Sequence, residues 1–161
     1  MGDFVLFKED VERIQKILAN LLTESAATYV LLINKDGNLI AHVGFSSTID
    51  ATTLAALAAG SFASTRAIAA LVGETEFSVM FHQGAKENIH ISLVDEDGIM
   101  VLIFDDRTNL GMVKMVASQA KAKLVQVLND VRGNEVEITP DPGTGGPDLS
   151  DRIDSIFPDN R

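Results

Sequence analysis

The stretch at 50–73, DATTLAALAAGSFASTRAIAALVG, constrains this chain more than any other, because it reads as one helix that is apolar or small almost all the way round. Asp50 stands where a carboxylate accepts from the orphan N–H groups of a first turn, and Gly73 where a left-handed residue closes a last one. Between those ends the only charge is Arg66. At about 100° per residue, Leu54, Leu57, Ser61, Ile68, Leu71 and Val72 gather on one side, the stripe a helix lays on a sheet. The opposite side carries Ala56, Ala59, Gly60, Ala63, Ala67 and Ala70, none longer than a methyl. A lone surface helix fills such positions with Lys and Glu. The smooth strip therefore predicts either a partner that approaches closely or burial within the chain's own core.

Composition narrows the setting. A chain of 161 residues is long enough to bury one core, and it has no cysteine, which excludes a disulfide framework and thiolate metal sites and suits a reducing compartment. The opening MGDFVLFKEDVERI has early acids and no long apolar run beside a basic region, so no signal peptide is expected. No stretch approaches the ~20 uninterrupted apolar residues of a membrane span. A net charge of −10 argues against nucleic acid or an anionic membrane as partner, since both demand Lys and Arg against phosphate. Half of that charge lies in 135–161, where seven acids face two bases.

The remaining elements follow from periodicity. Residues 8–24 place Val11, Ile14, Leu18, Leu21 and Leu22 at helical spacing, after a short arm with Phe4, Leu6 and Phe7. TYVLLIN and LIAHVG flank Lys35-Asp36-Gly37-Asn38, a hairpin signal, and the first run is apolar on both faces as a central strand is. EFSVMFHQ, IHISLVD and IMVLIFD, joined by short turns, form an antiparallel meander whose third strand is again central. The strand at 76–82 sets Phe77, Val79 and Phe81 on one side and Ser78, Met80 and His82 on the other, without Pro or an interior charge. At a sheet edge it is poorly protected, and a homodimer with a continuous sheet is the economical answer.

Residues 110–131 resume helical spacing, with Val113, Val116, Ala120, Leu124, Val127 and Leu128 as the buried stripe and Thr108 or Asn109 as cap. The domain is expected to span 1–132, followed by a Pro/Gly-rich acidic linker at 133–148. Beyond it, 149–157 sets Leu149, Ile153, Ile156 and Phe157 at the anchor spacing of a short amphipathic segment that docks in a groove, on a partner or on its own domain. The order α-β-β-α-β-β-β-α gives an α+β domain: a five-stranded antiparallel sheet with helix 50–73 on one face and the first and last helices on the other.

Chemistry is sparse. GxxxxGK[ST], GxSxG, HExxH and GxGxxG are all missing, and no cofactor is expected. His42, His82 and His90 fall on three different strands with no close ligand pair. Asp105-Asp106-Arg107 reads either as paired carboxylates, which with His82 would make an acid/base site, or as a turn that favours the positive end of the next helix. Arg66 is the one candidate for an arginine finger.

The Lys35-Asp36-Gly37 hairpin, IDATTLAALAAGSFAS, LVGETEF, FHQGAK and IFDDRTNLGMVK together resemble the Roadblock family over about residues 4–131. The resemblance implies a Roadblock/profilin-like sandwich and a homodimer that partners a small Ras-like GTPase of the MglA type. It implies that the dimer stimulates GTP hydrolysis by pressing on the switch regions, so that the GTPase's own Arg and Gln act and no finger comes from this side. On this view the chain is not itself an enzyme. Ala63 and Ala67 match the family positions that face the GTPase; helical geometry adds Ala56, Ala59, Gly60 and Ala70, with Arg66 beside them. Arg66 and Ser64 depart from the smaller or apolar residues common there. A cytoplasmic bacterial protein enriched at a cell pole, with a role in polarity and motility, is the implied setting. The alternative is a dimeric scaffold that holds a GTPase or another complex without stimulating it.

Overall fold

Two runs in this sequence are apolar on both faces, and the sheet is built around them. The computed structural model describes residues 6–46 and 48–138, the side chains of 135–138 excepted. Its elements are α1 (Lys8–Ser25), β1 (Tyr29–Asn34), β2 (Leu39–Gly44), α2 (Ala51–Leu71), β3 (Val79–Gln83), β4 (Asn88–Leu93), β5 (Gly98–Phe104) and α3 (Leu110–Ile138). They form one antiparallel sheet in the order β2-β1-β5-β4-β3. β5 is central and buried along its whole length, with β1 beside it. The expected α+β sandwich is the observed one. On one face Val30, Leu32, Met100, Leu102 and Phe104 meet α1 and α3; on the other Leu31, Ile33, Ile91, Val101 and Ile103 meet α2.

Turn chemistry sets the hairpin. Gly37 N–H donates to the Asn34 carbonyl at 3.0 Å, and Gly37 takes φ +90°, which a glycine adopts without steric cost. The β1/β2 register slips by one residue between Leu32 and Ile33, a bulge beside the turn. Gly44, at the far end of β2, has φ +99°, and a Cβ there would run into the Thr28 carbonyl. Gly44→Ala is therefore expected to cost on the order of 1–3 kcal/mol, read as a lower melting temperature.

α2 ends where its caps say it should. Asp50 Oδ1 accepts from Thr52 N–H at 3.0 Å, and Thr53 Oγ1 donates to Asp50 Oδ2 at 2.7 Å. At the other end Gly73, at φ +84°, donates to the Ala70 carbonyl and Glu74 N–H to that of Ala69, the paired bonds of a Schellman motif. The Thr53 hydroxyl, and then the Thr53 and Thr52 backbone, hold the Asp50 carboxyl below its ordinary range. A depressed carboxylate contributes stability that is present above the unfolded value of about 4 and is lost as pH falls through the folded one. Asp50→Ala should lower the melting temperature at neutral pH, and the gap to wild type should narrow below about pH 4.

Asn109 Oδ1 caps α3 by accepting from Met112 N–H at 2.9 Å. The expected stripe, Val113 to Leu128, is buried and extends to Val131. The helix does not stop at Arg132-Gly133, as the sequence suggested, but continues to Ile138. Gly133 has no positive φ, so it passes as an interior residue at a cost of about 1 kcal/mol rather than turning the chain. Arg132 Nη2 binds Asp95 Oδ2 at 2.7 Å, tying α3 to the β4–β5 turn. The rest of the linker and Leu149, Ile153, Ile156 and Phe157 lie outside the described residues, as does Phe4.

Candidate functional site: the outer face of helix α2

The stripe that α2 lays on the sheet is not the one its large aliphatics predict. Ala55, Ala58, Ala59, Phe62 and Ala69 are buried against it, while Leu57, Ile68, Leu71 and Val72 are exposed, Leu71 at 86%. Of the expected sheet-facing residues, Leu54 and Ser61 are half-buried. The cause is close approach. The β1–β2 turn lies against the helix so tightly that a Cβ on Gly37 would stand 3.1 Å from Ala56 Cα and 3.6 Å from Ala59 Cβ. Small residues at 55, 58 and 59 let the helix settle on the hairpin and the sheet, and Phe62 supplies the bulk. Ala59 is therefore a core residue, not a partner contact as expected.

Turning the helix this way makes its outer face more apolar, not less. Ala56, Gly60, Ala63, Ala67 and Ala70 are exposed as expected, and Leu57, Ile68 and Leu71 stand beside them. Burying a side chain of that size is worth about 1.5–3 kcal/mol. A contiguous apolar face of this length marks an interaction surface. By length and mean hydropathy, 1.4, α2 alone among the described residues could cross a membrane. The sequence criterion passed over it because hydroxyls and Arg66 interrupt the run; here one full stripe is committed to the sheet.

Arg66 lies at the border of this face. Its Nε is 3.8 Å from Glu76 Oε2, which Lys35 Nζ reaches at 3.5 Å. Glu76 thus draws Arg66 back toward the β1–β2 turn, away from the outer surface. Thr65 Oγ1 contacts Met80 Sδ at 3.4 Å, so β3 lies along the Thr65 side of the helix. By helical angle that side continues into Ser61, Ile68 and Leu57, whereas Gly60, Ala63 and Ala67 point further outward.

β3 is an edge strand, paired only with β4. Met80 packs toward α2, while Phe81 stacks on Phe104 on the opposite face, 6.0 Å between centroids. Val79 and Phe81 keep 44% and 38% of their surface exposed, and Phe77 lies just before the strand. The alternation is as expected, over a strand that starts three residues later.

The enzymatic readings lose their geometry. His42 and His82 sit on the two opposite edge strands, roughly 19 Å apart across four strand spacings, so no site draws the three histidines together. No group of potential metal ligands occurs among the described residues. Asp105 and Asp106 help line a surface cleft near the start of α3, but His82 does not. Arg107 grips Asp105 with Nε and Nη2, both at 2.9 Å, and these bonds hold the carboxyl below its ordinary range. An acid so held stays ionised and turns the chain.

Comparison with known proteins agrees with this geometry. The Roadblock/LC7 domain model matches residues 13–104. Myxococcus xanthus MglB is 35% identical over 79% of this chain and 96% of its own, with a TM-score of 0.74. The gliding protein MglB of Thermus thermophilus is 32% identical over 81% and 98%, also at 0.74. An MglB described as having a tetrameric arrangement is 31% identical over 81% and 98%, at 0.77. Acanthamoeba castellanii profilin IB, at 18% identity and 0.52, shares the fold alone. Among curated proteins nothing matches.

Proposed function

The chain belongs to the Roadblock/LC7 family, and from that premise we propose that it is a homodimeric regulator of a small Ras-like GTPase of the MglA type, stimulating GTP hydrolysis without supplying an arginine finger. The observation that carries the reading is the exposed apolar outer face of α2, next to an edge strand with free backbone groups. Two copies joined at their β3 edges form one sheet and bring the Leu57, Ser61 and Ile68 flanks of their α2 helices toward each other. Gly60, Ala63 and Ala67 remain outward, a methyl-deep platform on which the switch regions of a GTPase can lie. The engagement of Arg66 with Glu76 supports catalysis by the GTPase's own side chains. Cytoplasmic residence at a cell pole and a part in motility belong to the same proposal.

Phosphate release from the GTPase, followed with and without this protein, tests it. Acceleration is the expected result. A stable complex with an unchanged rate would make the protein a scaffold instead.

A further inference from the structure

On the face of the sheet away from α2, α3 and the β3–β4 pair enclose a groove of about 180 Å³. Its floor is polar in an otherwise apolar layer. His90 is 2% exposed and Ser92 6%, and neither His90 Nδ1 nor Ser92 Oγ has a hydrogen-bond partner within the protein. Lys114, Ser118 and Lys121, spaced about one turn apart on α3, form one wall, and Val79 part of the other. No acid lines it, in a chain whose net charge is −10. Burial, and then Lys114, hold His90 below its ordinary value, so the ring is neutral and offers one nitrogen as donor or acceptor.

A buried hydroxyl and imidazole without partners cost about 1–3 kcal/mol each, and a ligand that supplies both a carboxylate and backbone groups recovers that cost. Two lysines at the rim set its charge, and the exposed flank of Val79 asks for an apolar companion. The segment at 148–157, DLSDRIDSIF, has both characters: Asp148, Asp151 and Asp154 alternate with Leu149, Ile153, Ile156 and Phe157. Its reach is sufficient. Lys121 lies about 26 Å back along α3 from Ile138. The ten residues from 139 to 148 span up to about 35 Å when extended, and their prolines and glycines suit a reversal.

We propose that this groove seats the chain's own segment 148–157, its aspartates against Lys114 and Lys121 and its apolar residues against Val79. The GTPase-facing platform lies on the other face of the sheet and plays no part in this contact.

Because the chain has no native cysteine, the test is direct. Ser118→Cys and Ser155→Cys are introduced together in the full-length protein and treated with a short bismaleimide at high dilution. The control pairs Ser155→Cys with Thr52→Cys, exposed on α2. Docking raises the local concentration at the groove, so an intramolecular cross-link is expected on the order of tenfold faster than in the control. Adding Lys114→Glu and Lys121→Glu should remove most of that advantage while circular dichroism shows the fold intact. Equal rates at positions 118 and 52, or insensitivity to the lysine reversals, would overturn the proposal. So would cross-links that form only between chains when the two single-cysteine variants are mixed, since the occupant would then be another copy's segment.

Discussion

The chain carrying Ala63→Arg and Ala67→Arg is expected to leave its GTPase hydrolysing GTP at the unstimulated rate, while its own fold and oligomeric state are unchanged. Both alanines are exposed on the outer face of α2, one turn apart, and arginine is a good helix former, so the folded chain tolerates the change. The partner does not. A methyl-deep surface admits a closely placed backbone, and two guanidinium side chains hold it off. Losing contacts at the centre of an interface costs about 2 kcal/mol or more, roughly a 30-fold weakening of the complex. Phosphate release and co-elution read the two quantities. Ala122→Arg, exposed on α3, is the matched control and should behave as wild type. Arg66→Ala should also keep the stimulated rate; a collapse there would make Arg66 the finger after all.

The second large effect concerns the dimer. Ile68→Asp, on the flank of α2 nearest β3, would bury a carboxylate between two copies, and Val79→Lys would place an ammonium along the edge strand. Each should weaken self-association by about 30-fold or more, seen as a shift toward monomer in sedimentation at low micromolar concentration. Both side chains are exposed in the single chain, so its melting temperature should move little. A dimer that persists in both variants would mean that the copies meet elsewhere.

Much of the architecture was legible because it rests on local rules. Asp50, Gly73 and Asn109 are caps whose chemistry depends on neighbours within one turn. The Asp36-Gly37 turn, the doubly apolar β1 and β5, and the stripe of α3 follow from fixed periodicities. The outer face of α2 was read only in part, because alanine is apolar enough for either side. What orients the helix is side-chain size against Gly37 and the hairpin, a tertiary fit that no period encodes. That is why Leu57, Ile68 and Leu71 changed sides and Ala59 went inside. Gly133 misled in the opposite way: glycine permits a left-handed stop but does not impose one. His90 and Ser92 did leave a signal, since polar residues alternate with Ile89, Ile91 and Leu93 along β4, but periodicity marks a polar face without showing that a helix lies over it.

Helix α3 outruns the body it belongs to. Its last anchored residue is Arg132, held by Asp95, and the helix runs on to Ile138. That overhang fixes a bearing for everything after it. Each residue added or removed between the anchor and the end advances the point of departure by about 1.5 Å but swings it by about 100°. Length differences here act as changes of phase more than of reach: an insertion of one or two residues would launch the following segment toward a different side of the molecule. An insertion of about seven, two turns, would restore its heading.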